Sequence, residues 1–237
     1  RGPLPFGGHA AMAGQQATDG TRESLISSFM VDGTCNMTHL KAMNMDVARL
    51  SGEILGLWDS EEMENVDMLD GVPEWFVGPA LAHLPAHEIG HTIGLRHNFK
   101  ASAIFTMEEI NSDAVKDNEP FAASVMDYNP ININMESGEI QGNYEVIDIG
   151  DYDVWAIEYG YTDGKLEDVL AKVDDPRLAY ATDEDTWGPD PLARRYDLSA
   201  DPLHYADNQM RLVEKLRREI LYEFKKEDDS WSRARRR

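Results

Sequence analysis

The chain has 237 residues, 42% of them hydrophobic, enough to bury a core and too apolar for a disordered tail. Its 44 acidic residues against 22 basic ones give a net charge of −22, which argues against nucleic acid or anionic membrane surfaces as partners. No apolar run approaches the roughly 18 residues that cross a bilayer. The first residues, Arg1-Gly2-Pro3-Leu4, contain no initiator Met and no secretory signal, so the chain reads as a piece of something longer.

Residues 1–23 are rich in Gly, Ala and Pro and read as loop, and Leu25 to Val31 reads as a strand. The single cysteine, Cys35, cannot form an internal disulfide. It reads as a small buried hydrophobe. A thiol capping a metal ion is the other reading, to which its neighbours lend no specific support. From Thr38 onward Leu40, Met43, Val47, Leu50, Ile54 and Leu57 recur at steps of three and four, the pattern of one helix face. Ser60 is placed to cap a short acidic helix over Glu61 to Leu69, ended by Gly71-Val72-Pro73. The next helix begins near Glu74 or Trp75 and runs to about Gly94, with a kink or a late start expected at Pro85.

Residues 98–123 read as a polar connection, with Thr106 and Glu109 at capping-box spacing. Ile131 to Asn134 is loop or a brief strand. Asp151 is placed to cap a helix over Tyr152 to Tyr159 that stops at Gly160. Residues 174–206 look like an extended wrap. A last amphipathic helix is expected from about Asp207 to Phe224, with Val213, Leu216, Ile220 and Phe224 on one face. The sequence ends in an Arg-rich run that looks like a cut.

The chemistry sits in His87-Glu88-Ile89-Gly90-His91-Thr92-Ile93-Gly94-Leu95-Arg96-His97, which fits H-E-x-x-H-x-x-G-x-x-H. From average residue usage, a chance match has a probability of about one in a hundred thousand. Residues four apart on an α-helix are offset by about 40° and about 6 Å, so His87 and His91 can share one ion. His97, about 15 Å further on along a straight helix, can join them only if the helix stops between. Gly94 is the residue that permits the stop, because it tolerates the left-handed conformation. Three protein ligands leave a fourth position for water, the arrangement of a catalytic zinc site. Glu88, rotated about 100° from His87, is placed to take a proton from that water and pass it to a leaving amine.

With a downstream Met, the motif resembles the metzincin clan of zinc peptidases. The resemblance makes Met126, in Ser124-Val125-Met126-Asp127-Tyr128, the Met of a turn beneath the histidines. It gives Tyr128 the role of steadying the oxyanion, with a Tyr merely packed near the site as the other reading. His97 to Ser102, Ser124 to Pro130 and Gly150 to Tyr161 also resemble the large bacterial secreted zinc-dependent metalloproteases. That resemblance implies protein or peptide substrates and an extracellular or envelope location.

The expected fold is α+β and predominantly α. Residues 1–161 form a metzincin-like catalytic region and 162–237 a helical C-terminal extension, most of the N-terminal sheet lying upstream of Arg1. The expected activity is a zinc-dependent endopeptidase using one zinc ion. A catalytically inactive peptide-binding or scaffold module is the alternative, and zinc hydrolysis of a non-peptide bond a third. His83 reads as an ordinary packed or exposed histidine, and Arg96 as a surface or salt-bridge residue. Asp148, Asp151 and Asp153 read as helix capping and exposed acid more readily than as a calcium site.

Overall fold

The computed structural model describes residues 35–58, 66–69, 72–136 and 140–224. The loop and strand expected before Cys35, Ser60 with the start of its helix, and the Arg-rich end lie outside the described residues. Helix α1 spans Met37–Leu55, and the strands β1 (Met68–Leu69) and β2 (Val72–Pro73) form a two-stranded antiparallel sheet. Helix α2 is Glu74–Thr92, α3 is Met107–Ile110, α4 is Asp151–Tyr161, α5 is Leu166–Leu170 and α6 is Pro202–Phe224. Among the described residues the fold is therefore mostly helical with one small sheet, as expected. Met68 and Leu69, expected at the end of an acidic helix, instead pair with Pro73 and Val72.

Helix α1 packs against both α2 and α6. Its buried face is not the expected one. Met37, Leu40, Lys41, Asn44, Ala48, Ser51 and Gly52 point inward, whereas Met43 is 46% exposed. Val47, Leu50 and Ile54 lie at the margin of the core, and Leu57 follows the helix end. The stripe is turned because three polar side chains are buried along it. Lys41 is held there by a buried ion pair with Glu145. The same displacement occurs on α6, where Tyr205, Asn208, Leu212 and Leu216 are buried and Val213 is 59% exposed. That helix also starts five residues earlier than expected, at Pro202, a residue favoured in a first helical turn. Asn208 fastens it to the 131–135 segment by donating to the Ile133 carbonyl and accepting from Met135 N. Ala48, Trp58, Val72, Phe76, Ile131, Ile133, Leu212 and Leu216 share the largest apolar cluster.

Helix α2 starts at Glu74 and runs on through Pro79 and Pro85, so Pro85 brings no late start. The carbonyls deprived of their partners belong to Trp75 and Leu81, which are 43% and 61% exposed, on the side of the helix that water reaches. Its inward face is Phe76, Ala80, His83, His87 and Gly90, a helical stripe carrying two histidines and a glycine.

The capping box at Thr106 and Glu109 is formed as expected, and it opens α3. The connection around it contributes Met107, Ile110, Val115, Phe121 and Ala122 to a second apolar cluster. Ile131 to Asn134 is loop, tied by the bond from Asn132 N to the Tyr144 carbonyl. At α4 the N-cap is Gly150 rather than Asp151, with Asp153 three positions on reaching back to it, and the helix passes Gly160 to end at Tyr161. Asp153 accepts from Gly150 N, Val125 N and Ser124 Oγ at 3.1, 2.8 and 2.5 Å. The carboxylate thus fixes a helix start and the segment before Met126 together. Asp151 pairs with Arg177 on the surface.

Candidate metal centre

Each of the three motif histidines presents the same nitrogen inward. His87 Nδ1 donates to the Val125 carbonyl at 2.7 Å. His91 Nδ1 donates to the Leu95 carbonyl at 3.1 Å. His97 Nδ1 donates to Asp183 Oδ2 at 2.9 Å. Carbonyl and carboxylate oxygens only accept, so each Nδ1 carries the proton and each Nε2 keeps a lone pair. Burial, the largest influence on both rings, pulls His87 down to about 3 and lowers His97, which keeps them neutral. His91 Nε2 is buried with no hydrogen-bond partner, an orphaned lone pair that a ligated ion would satisfy. The inward-facing atoms of His87, His91, His97 and Cys35 all lie within 4.8 Å of one another. Neutral imidazoles with outer hydrogen bonds in place are the donor set zinc takes.

The backbone delivers these side chains as the motif requires. Helix α2 ends at Thr92, and Gly94 adopts φ +99°, a left-handed conformation that turns the chain back. Leu95 N then donates to the Gly90 carbonyl at 3.0 Å. The chain beyond His97 is gripped from both sides. Asn98 N donates to the Met126 carbonyl and Phe99 N to the Ala181 carbonyl. The buried Asn98 side chain bridges to Ala179 and Ala181. Met126 is fully buried beneath the helix. Its Sδ would lie 2.3 Å from a Cβ placed on Gly90, so only glycine at that motif position lets the Met seat this close.

Tyr128 is buried, and its hydroxyl donates to His97 Nε2 at 3.1 Å while accepting from Asn36 N at 2.7 Å. Desolvation raises its pKa, so the phenol stays protonated. Glu88 is half-buried beside the cluster, one residue from His87 and outside the donor set. Arg96 forms a two-bond ion pair with Glu184, as a salt-bridge residue. His83 is buried one turn below His87, and its Nε2 shares the Val125 carbonyl at 3.3 Å. Cys35 is exposed rather than a buried hydrophobe. Its Sγ lies 3.4 Å from His87 Nε2 and donates to Glu88 Oε1 at 3.2 Å.

The profile of a family described as Met-zincin matches residues 70–237. The chain belongs to the Met-zincin family. No curated protein and no solved structure gives a significant match. The Met-zincin match covers all three histidines, Glu88, Met126 and Tyr128, and begins after Cys35.

Sequence reasoning missed Asp183. Its Oδ1 also accepts from Arg195 Nη2 at 2.8 Å, and Arg195 lies over the Phe99 ring. Eighty-six positions separate Asp183 from His97, and no spacing rule links them. Removing such an outer partner leaves a ligand ring free to turn and less basic. Asp183→Ala should lower zinc affinity by about 10–100-fold, read by competition with a chelator. An unchanged affinity would mean that His97 needs no orienting carboxylate.

Proposed function

We propose that this chain is the catalytic region of a zinc-dependent endopeptidase, in which His87, His91 and His97 hold the metal and Glu88 carries the proton. The observation that supports this best is the convergence of three Nε2 lone pairs, each set by an oxygen acceptor on the opposite nitrogen. A zinc ion bound there supplies Lewis acidity, which makes water nucleophilic near neutral pH and polarises a carbonyl. The residues do the rest. Glu88 accepts the proton that the attacking water loses and returns it to the departing amine, so that one carboxylate serves as base and then as acid. Tyr128 offers its O–H, from beside His97, to the oxygen on which negative charge develops. Met126 and Gly90 fix the floor of the site.

In this reading residues 1–161 are the catalytic region, and 162–237 are an extension that braces the third ligand through Asp183 and the Ala179–Ala181 stretch. The resemblance to large secreted bacterial metalloproteases supports protein or peptide substrates and an extracellular or envelope location. Among the described residues no helix is long and apolar enough to cross a membrane. An inactive binding module is the less favoured reading, because it has no use for a carboxylate beside the three imidazoles.

The test is metal content after chelator-free purification, with cleavage of a peptide library. Wild type should hold zinc and cut peptides. His91→Ala should lose both, with an affinity loss exceeding the roughly 10–100-fold of an outer partner. A wild-type chain that binds no zinc after reconstitution would overturn the reading.

A further inference from the structure

Two consecutive residues, Arg195 and Tyr196, reach the two ring nitrogens of His97, each through one intermediary. Arg195 Nη2 donates to Asp183 Oδ1 at 2.8 Å, and Asp183 Oδ2 accepts from His97 Nδ1. Tyr196 stacks on Tyr128, with ring centroids 5.7 Å apart and planes 26° from parallel. The Tyr128 hydroxyl in turn donates to His97 Nε2. The backbone at Tyr196 is left-handed, with φ +67°, which is unfavourable for a bulky side chain. Such strain persists only where the surroundings over-determine it. The bonds that do so run along the chain leaving His97. Arg194 N donates to the Phe99 carbonyl at 3.1 Å, Ser199 N to the Ser102 carbonyl at 3.1 Å and Ala200 N to the Phe105 carbonyl at 2.7 Å. The strained residue is thereby clamped with its ring against the face of Tyr128.

We propose that Tyr196 is a positioning residue: it fixes the plane of the Tyr128 ring, so that the Tyr128 hydroxyl meets the oxygen on which charge develops. The proposal rests on the zinc-peptidase reading and on the role of Tyr128 within it. A His97 that has given its Nε2 lone pair to a metal has none left to accept with, so the Tyr128 hydroxyl loses that acceptor. The same loss leaves its proton available to a substrate oxygen. The ring is then held by the bond from Asn36 N to its hydroxyl and by packing. Tyr196 covers a face, and Phe99 meets it edge-on, with centroids 5.1 Å apart and planes at 71°. Neighbouring residues thus divide the work. Arg195 acts on metal affinity through Asp183, and Tyr196 acts on turnover through Tyr128.

The full chain loaded with zinc tests this through Tyr196→Gly. Glycine removes the ring and relieves the left-handed backbone, so the variant should fold. Its kcat should fall by about 10²-fold, the scale of a misplaced catalytic group, with KM little changed. Its zinc affinity, read by competition with a chelator, should equal that of wild type. Tyr196→Leu, which fills the space without a ring, should behave in the same way. Tyr196→Phe, which keeps the ring, should recover most of the turnover. Arg195→Ala should instead weaken zinc by up to about 10-fold, being one contact further out than Asp183. In a Tyr128→Phe background Tyr196→Gly should add no further loss, since the hydroxyl it positions is gone. The proposal is overturned, with the zinc site left standing, by Tyr196→Gly and Tyr196→Leu chains as fast as wild type. It is equally overturned if Tyr196→Phe is as slow as they are, or if Tyr196→Gly slows Tyr128→Phe further. If wild type holds no zinc, the site and the proposal fall together.

Discussion

Glu88→Gln is expected to retain zinc and to lose peptide hydrolysis by about 10²–10⁴-fold, the usual contribution of a positioned general base. The substitution keeps the shape of the side chain and removes its capacity to accept a proton. Metal retention follows from the geometry, because the four converging donors are Cys35, His87, His91 and His97. The fall should appear in kcat with little change in KM, because the proton transfer belongs to the reaction step. The comparison is best made with and without Cys35→Ala, since the thiol donates to Glu88 and would compete with any water there. Metal content is measured on the same samples. Turnover equal to wild type in a zinc-loaded Glu88→Gln protein would remove the proposed base from the mechanism.

The centre was legible to the extent that coordination is written in spacing. Two histidines four apart must share a helix face, and a third ten residues on requires a helix stop, which Gly94 supplies with its positive φ. The acceptors that orient those rings were illegible for two separate reasons. Val125 and Leu95 act through backbone carbonyls, which every residue possesses. Asp183 acts through its side chain, but from 86 positions after His97. Proximity across such separations is made by the fold. The α1 and α6 faces failed for another reason. Hydrophobic periodicity assumes that the inward stripe is apolar, and here Lys41, Asn44, Ser51 and Asn208 are inside. The inward stripe of α2 escapes the same rule, because His83, His87 and Gly90 give it no apolar signature. The cap of α4 was misplaced by one residue, Asp151 standing for Gly150. Asp153 stands three positions after Gly150, where its carboxylate can reach back to Gly150 N.

The buried ion pair behind the site yields the largest expected effect on stability. Lys41 and Glu145 side chains are 7% and 2% exposed, and they are joined directly. Burial alone would push the Glu145 carboxyl up, but the Lys41 ammonium outweighs it and holds the pKa below the ordinary value. His83, lowered chiefly by its own burial, stays neutral, with Nδ1 3.8 Å from the carboxylate, too far to replace the ammonium. Lys41→Ala therefore leaves an uncompensated buried carboxylate and should cost about 3–5 kcal/mol of unfolding free energy at neutral pH. The pH dependence gives the sign. In wild type the depressed folded pKa adds stability above the unfolded glutamate value, which is lost as pH falls through the folded one. In the variant desolvation dominates, the folded pKa rises above the unfolded value, and stability is lost as pH rises instead. The gap between the two proteins should be widest at neutral pH and should narrow on acidification through the ordinary glutamate range. Denaturant unfolding of the metal-free proteins at both pH values measures it. A gap independent of pH would assign the loss to the packing of the Lys41 stem rather than to its charge. Because His83 and His87 share the Val125 carbonyl, disorder around a charged, unpaired Glu145 should also reach the first ligand ring.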